Sequence, residues 1–367
     1  MAVVYSAMRI LYLSQYYWPH TGGRERVVQD LAEEISALGH DVEVVAVQTT
    51  ARGHERGRPR SRVTRVFSFG TVASRDVAPG YLAAAWHRAD IIHVHHPHAL
   101  ADLAVTLRAR RTPVVVTQHA DARRPIERPL ARHVLKRAKA VVVPSRAHIA
   151  LCRDLEGLEG KVEVIPFGVD ESRWTDLPPP AMDGPVRALF IGRLLRYKGV
   201  DVLLRALERV PDVRLDIVGT GPEAPRLRTL AQALAVTDRV RWYGEYPDED
   251  LPRRMAEAHF LVLPSVSVEE MFGLVVIEAM AASRPVITTD LPSGVREVNV
   301  HGETGLVVPL RDPEALAQAM GLLASDPALR ARLGAAGRER MQAQFTRRRM
   351  AEQHVALYER ILANRKL

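Results

Sequence analysis

One cysteine, Cys152, is all that the 367 residues contain. No intrachain disulfide can form and a cysteine-based structural zinc site is excluded, a usage that fits a reducing compartment such as the cytoplasm. Aromatic residues make up only 5% of the chain. They form no stacking platform among the basic residues and no familiar DNA-binding pattern, so nucleic acid is not expected as a partner. No stretch reaches the roughly 18 uninterrupted apolar residues that a membrane-spanning helix needs. The opening residues, Met1-Ala-Val-Val-Tyr-Ser-Ala-Met8, lack a basic segment followed by a hydrophobic block, so no signal peptide is expected. Acid is the scarcer charge: 43 Asp and Glu against 51 Lys and Arg leave a net +8. That excess suits phosphorylated ligands or anionic surfaces, and equally an arginine-rich genome composition.

What is present is ordinary for a globular protein, 47% hydrophobic and 26% charged. The length suits two domains of roughly 170 residues each. The most chemically pointed stretch is Phe260 to Ala281. Phe260-Leu-Val-Leu263 reads as a buried parallel strand. Pro264-Ser265 and the pair Glu269-Glu270 follow, and helix-forming sequence begins at Leu274. A strand, a loop and a helix start put unpaired backbone N–H groups and the positive end of a helix dipole where anionic or hydroxyl-rich ligands are favoured. Glu270 stands at the mouth of that turn, with Glu278 about two helical turns further on.

The N-terminal half begins with a strand, Arg9–Leu13, then a loop containing Gly22 and Gly23, a helix expected over Val27–Leu38 and closed by Gly39, and a second strand, Asp41–Val47. Glycines at the first turn of a βαβ unit let backbone N–H groups approach a phosphate, or simply make a tight turn. Residues 51–80, rich in Arg, Gly, Ser and Pro, read as a mobile loop or short-strand insert. In Asp90-Ile-Ile-His93-Val-His95-His96-Pro-His98, strand alternation places His93 and His95 on one face. No carboxylate lies at ligand spacing, so no metal is expected. Pro113 to Gln118 is a further strand, running into His119. The basic region 123–139 surrounds Leu130, Val134 and Leu135. It reads as a solvated helix face that also suits peripheral contact with a membrane. Leu177-Pro-Pro-Pro180 to Gly184-Pro185 reads as a stiff, exposed linker.

The second half restarts with Ala188–Ile191, followed by Gly192-Arg193 and Lys198-Gly199 before a helix from Val200 to Val210. Two cations at the carboxyl end of a strand suit a diphosphate. Gly219-Thr-Gly221-Pro-Glu-Ala224 satisfies a dinucleotide-binding fingerprint. It follows the domain's second strand instead of its first, prolines crowd the turn, and Glu245 is a poor candidate for the ribose-binding acid. Asp248-Glu-Asp250 is read as acids capping a helix start. Arg284–Asp290 is another strand, and the chain from Asp312 is expected to be helical.

Pro264-Ser265, Glu270-Met-Phe-Gly-Leu274 and Glu278-Ala-Met-Ala281 together resemble the E-x7-E signature of the retaining, nucleotide-sugar-dependent glycosyltransferases of family 4, with Met271 where that family writes Gly. The likeness extends over nearly the whole chain. It includes the Gly22-Gly23 loop, Gly39-His40-x-Val42, the Asp90-x-x-His93-x-His95 strand end and His119. It continues through Ile165-Pro166-Phe167-Gly168-Val169-Asp170 (Phe167 replacing Asn), Gly192-Arg193 with Lys198-Gly199, Val218-Gly219-x-Gly221-Pro222, Val240–Gly244, Glu297 and His301–Pro309.

The resemblance implies an α/β protein of the GT-B fold: two doubly wound, Rossmann-like domains facing an interdomain cleft, with a C-terminal helix crossing back to the N-terminal domain. The layout it implies is an acceptor domain over 1–170, a linker over 171–185, a nucleotide-sugar domain over 186–345 and the returning helix over 346–367. It implies transfer of a sugar from a UDP- or GDP-linked donor to a hydroxyl of a saccharide, glycolipid or small natural product, with retention and with no metal or further cofactor. The catalytic residues it points to are Glu270, His119, Arg193 and Lys198. Gly22, Gly23, Gly192, Gly219, Tyr243, Phe272, Gly273, Leu274 and Glu278 would join Arg193, Lys198 and Glu270 in holding the donor. Cytoplasmic placement, peripheral at the membrane's inner face, goes with that reading. The rival readings are a GT-B epimerase or phosphorylase, and an oxidoreductase binding a dinucleotide at Gly219–Ala224.

Overall fold

The computed structural model describes residues 7–18, 22–48, 60–72, 75–108, 111–122, 124–180 and 184–364. The chain divides into two compact units, one formed by Met1–Gly168 with Arg347–Leu367, the other by Val169–Thr346.

In the first unit the apolar runs become seven strands: β1 (Arg9–Leu13), β2 (Asp41–Val47), β3 (Arg62–Val66), β4 (Ile91–His96), β5 (Val114–Gln118), β6 (Ala140–Val143) and β7 (Val162–Val164). They lie in the order β3-β2-β1-β4-β5-β6-β7 and every pairing is parallel. In the second unit β8 (Val186–Ile191), β9 (Val213–Val218), β10 (Val240–Gly244), β11 (Phe260–Leu263), β12 (Val286–Thr289) and β13 (Gly305–Val308) lie in the order β10-β9-β8-β11-β12-β13, again all parallel. Parallel strands need crossovers that cover both faces of the sheet. That is why β4, β5, β6, β11 and β12 are buried from end to end. Each half is thus the doubly wound α/β layout expected.

The winding reverses between β1 and β4 in the first unit and between β8 and β11 in the second. At such a point the two flanking loops turn away to opposite faces and leave a crevice at the carboxyl ends of the strands. Two loop pairs therefore matter for function: those after Leu13 and His96, and those after Ile191 and Leu263.

Four helices are needed below: α1 (Gly23–Ala37), α2 (Val200–Glu208), α3 (Leu274–Ala281) and α4 (Arg347–Ala363). The first starts four residues before the expected Val27. Gly22 is extended, and Glu25 lies in the first turn, where an acid interacts well with the helix dipole. The last belongs to the first unit. Its buried face carries Met350, Ala351, Leu357 and Tyr358, Arg347 pairs with Glu34 of α1 at 3.1 Å, and the Tyr358 and Tyr12 hydroxyls lie 3.1 Å apart.

Several local expectations change. The stretch expected to begin a surface linker at 171 starts with a short turn, Glu171–Arg173, and a fully buried Trp174. Arg284 then donates to the Pro178 carbonyl at 2.8 Å, so this segment is anchored on the second unit. Asp248–Asp250 is a 3-10 turn in which no acid side chain caps the following helix; Asp248 instead pairs with Arg173 at 3.0 Å. Part of the 51–80 insert, residues 60–72 and 75–80, contributes the edge strand β3 and a small hairpin. The Arg-rich run 52–59 lies outside the described residues, as do Arg123 and the last three residues. In the basic region, Arg128 pairs with Asp154 at 2.9 Å and Arg132 donates to the Arg153 and Glu156 carbonyls, so part of its charge is engaged within the unit. Among the described residues no helix is long and apolar enough to cross a membrane.

Candidate active site

At the switch point of the second unit three loops lock together through backbone contacts. Gly192 N–H donates to the Val218 carbonyl at 3.0 Å, Leu194 N–H to Thr220 at 2.8 Å, and Val266 N–H to Tyr197 at 2.7 Å. Two glycines permit this approach. Gly199 sits at φ +66°, and a Cβ there would lie 2.0 Å from the Pro264 carbonyl oxygen. Gly219 sits at φ +130°, with the Gly192 carbonyl oxygen 2.0 Å from any Cβ. No side chain fits at either position without moving a backbone. The dinucleotide-like fingerprint is therefore a buttress for the Gly192 loop, at the second βα turn and not at the switch point itself.

The interlocked loops bring together two groups 72 residues apart in sequence. Lys198 Nζ lies 2.5 Å from Glu270 Oε2, and Ser265 Oγ donates to the same oxygen at 2.9 Å. Burial works against the Lys198 ammonium, but the facing Glu270 carboxylate outweighs it and holds the amine above its ordinary range. The lysine therefore stays an ammonium at neutral pH. Glu270 Oε1 makes no hydrogen bond among the described residues. Arg193, on the same loop, is exposed and makes no ion pair among the described residues. The site therefore presents one fixed cation, one exposed cation and one oriented carboxylate at the mouth of α3.

Gly273 takes a left-handed conformation as the residue before α3, with Leu274 opening the helix. Phe272 is buried, its ring 6.2 Å from that of Phe345. Glu278 is buried two turns along. Met271, where a glycine was expected by resemblance, is not at positive φ, so a side chain is accommodated without strain. Tyr243 lies one strand further out, at the end of β10. Its hydroxyl accepts from Arg254 at 2.8 Å, and that guanidinium also lies 4.3 Å from the ring centre.

In the first unit, Arg24 of α1 donates to the Pro97 carbonyl at 3.3 Å, tying the Gly22-Gly23 loop to the one after β4. Both glycines are exposed. His119 follows β5. Its Nε2 lies 3.1 Å from His95 Nδ1, and its ring stacks on Phe167 with centroids 5.2 Å apart and planes 26° apart. Burial, reinforced by Arg24 and neighbouring histidines, holds the His119 imidazole well below its ordinary pKa, so it is neutral. As alternation requires, His93 and His95 share a face: their rings stack at 4.6 Å. His93 is held on both nitrogens, by the Tyr358 hydroxyl at 2.5 Å and the Thr117 hydroxyl at 2.7 Å. Among the described residues no group of three or more His, Cys, Asp or Glu side chains is placed to hold a metal ion.

Of the sequence-predicted residues, the second unit brings Gly192, Arg193, Lys198, Gly219 and Glu270–Leu274 into one loop cluster, with Glu278 on the helix below it. Tyr243 stands at the flanking strand. Gly22, Gly23 and His119 lie in the first unit, at the carboxyl edge of its sheet. Sequence reasoning placed Ser265, His95 and Phe167 in motifs without giving them these partners, and it missed Arg254. Ser265 and His95 were within reach, since each stands at or just past a strand's carboxyl end. Arg254 lies inside a helix with no local signal.

Residues 175–340 match the family profile described as Glycosyl transferases group 1, and residues 21–173 that described as Glycosyltransferase Family 4. D-rhamnosyltransferase WbpZ of Pseudomonas aeruginosa is 31% identical, over 92% of this chain and 92% of its own length. A phosphatidyl-myo-inositol mannosyltransferase of Mycolicibacterium smegmatis is 30% identical over 91% and 89%. Sucrose-phosphate synthase from Thermosynechococcus elongatus has a similar structure, with a TM-score of 0.80 at 26% identity, covering 97% of this chain and 100% of that one. Anabaena HepE, solved with UDP and glucose, has a TM-score of 0.77 at 20% identity over 96% and 99%, a likeness of fold alone.

Proposed function

The chain belongs to glycosyltransferase family 4 and is a glycosyltransferase of the GT-B type, and we propose that it moves a sugar from a UDP- or GDP-linked donor to an acceptor hydroxyl with retention and without a metal. The observation that carries this reading is the Lys198–Glu270 pair at 2.5 Å, seated at the switch point of the second sheet. Arg193 and Lys198 hold the diphosphate and offset its charge as it departs. Glu270, through its free Oε1, orients the donor sugar together with the backbone of Phe272, Gly273 and Leu274, and Glu278 binds ribose hydroxyls. Gly192 and Gly219 keep the loops around the donor packed together through their backbone contacts, and Tyr243 borders the nucleoside. From the first unit, Gly22 and Gly23 offer backbone to the substrates and His119 hydrogen-bonds the donor sugar.

In this reaction the acceptor oxygen forms its bond to the anomeric carbon on the face from which the diphosphate leaves. The acceptor proton passes to an oxygen of that diphosphate, so the protein need supply no separate base. Its work is positioning and charge stabilisation. Two cations already in place make a divalent ion unnecessary. The relatives named as rhamnosyl- and mannosyltransferases support a hexose-type donor. A saccharide, a glycolipid or a small natural product serves as acceptor.

The test is a thermal-shift screen in EDTA with UDP, GDP, ADP and NAD. Saturation at about 100 times Kd is worth about 2.7 kcal/mol, a readable shift. Stabilisation by one nucleoside diphosphate is expected, and it identifies the base. Stabilisation by NAD alone overturns the reading. The anomeric configuration of the product, read by NMR, then tests retention.

A further inference from the structure

We propose that His95 is a positioning residue: it fixes the tautomer of His119 so that His119 presents Nδ1–H as a hydrogen-bond donor to substrate. This rests on the reading above, in which His119 touches the donor sugar.

The geometry starts with His95. Its ring is fully buried, stacked on His93 at 4.6 Å and edged by Tyr12 at 5.3 Å, so it cannot turn. Its Nδ1 faces His119 Nε2 at 3.1 Å, and its own Nε2 is sealed from solvent with no partner among the described residues. Burial, with the neighbouring imidazoles and Arg24, keeps both His95 and His119 neutral. Each ring therefore carries one proton, and the contact between them must contain a single hydrogen.

Only two arrangements are available. If His119 Nε2–H donates, His95 must carry its proton on the sealed Nε2, as a buried N–H with nothing to accept it. If His95 Nδ1–H donates, the sealed Nε2 is a bare lone pair. Orphaned buried N–H groups are rarer in proteins than under-used acceptors. The second arrangement is favoured. It leaves His119 with Nε2 as acceptor and the proton on Nδ1, the nitrogen that makes no hydrogen bond among the described residues and is not sealed from solvent. An unconstrained neutral imidazole prefers the opposite form, Nε2–H, so the tautomer at His119 is imposed by His95. Phe167, against the face of the ring at 5.2 Å, holds the plane in which that N–H points.

Long-range nitrogen–proton correlation NMR of the imidazoles in the full-length protein reads the tautomer directly, with His119 assigned by its disappearance in His119→Gln. The wild type is expected to show His119 as Nδ1–H. His95→Phe, which keeps a ring but no nitrogen, is expected to return His119 to Nε2–H and lower kcat/KM by roughly fivefold, the worth of one hydrogen bond. His95→Asn, whose amide can donate in place of Nδ1–H, is expected to restore both. His119 as Nε2–H in the wild type overturns the proposal whatever the activity and whether or not the variants fold. An unchanged kcat/KM in a folded His95→Phe whose tautomer has switched overturns it as well. By contrast, full turnover in His119→Ala overturns the substrate-contact reading itself while leaving the tautomer measurement intact.

Discussion

Lys198 and Glu270 meet at 2.5 Å because two backbones meet first: Gly199, the residue after the lysine, approaches the Pro264 carbonyl so closely that a Cβ would stand 2.0 Å from its oxygen. The charge pair and the glycine contact are one arrangement. The lysine is aimed by the packing of its own loop against the loop that carries the glutamate.

Removing either charge should separate activity from folding. Lys198→Ala and Arg193→Ala are each expected to lower kcat by about 10²–10³-fold, the usual loss when a group that stabilises developing charge is removed, and Glu270→Gln by about 10²-fold through the lost orientation of the donor sugar. Lys198→Ala also leaves a partly buried carboxylate held by Ser265 alone, at a cost of about 1–3 kcal/mol. A double variant, Lys198→Met with Glu270→Gln, should recover most of that stability and none of the activity. Steady-state kinetics beside urea unfolding checks this; near wild-type turnover in any of the single variants would remove that residue from the site.

The two kinds of glycine should respond differently to alanine. Gly39, at φ +92°, has nothing within 4 Å of an added methyl, whereas Gly199, at φ +66°, has the Pro264 oxygen at 2.0 Å. Gly39→Ala is expected to cost about 1–2 kcal/mol from backbone strain only. Gly199→Ala adds a backbone clash and should cost more, and it should weaken nucleotide binding as well. Equal losses in unfolding midpoint would contradict this account of the loop contact.

Acid should destabilise the protein through its buried histidines. Burial pushes His354 down to about 4, against the opposing effect of its hydrogen bond to the Met350 carbonyl, and burial alone pushes His148 down to about 4. His93, His95 and His119 are also lowered, chiefly by burial. The unfolded chain takes up these protons near pH 6.5 and the folded chain does not, so stability falls as pH drops from about 6.5 towards 4. Each group contributes a slope approaching about 1.36 kcal/mol per pH unit. His96, raised beside Asp102 despite its burial, works the other way and favours the folded state at low pH. Urea midpoints measured from pH 7 to 5 should fall less steeply in His354→Leu and in His148→Leu. Slopes matching the wild type would show that these groups are not buried neutral.

Phe167→Asn restores the residue that the family motif usually carries. Here it deletes a buried ring packed on His119, and a loss of about 3 kcal/mol is expected from the large-to-small change. Freed of its stacking partner, His119 should also be less well oriented, with a several-fold fall in kcat/KM. A variant as stable and active as the wild type would show the stacking to be incidental.

Much of this was legible in the order of residues. Continuous apolar runs such as Ala140–Val143 and Phe260–Leu263 are the mark of parallel strands covered on both faces, and their alternation with helical stretches pointed to two doubly wound halves. The spacing of Glu270 and Glu278, the Gly192-Arg193 and Lys198-Gly199 pairs, and the helix from Leu274 all follow from local signals and from the family likeness. Tertiary structure decided what local signals cannot carry. Strand order sets which loops become neighbours, so it alone brings Lys198 to Glu270 and Ser265, and His119 to His95 and Phe167. Burial decided that Trp174 anchors its segment, since one aromatic among prolines has no periodicity to announce it. Competition for partners decided that Asp248 pairs with Arg173 in preference to capping a helix. Periodicity and propensity are properties of neighbours along the chain, whereas a site is made by neighbours in space.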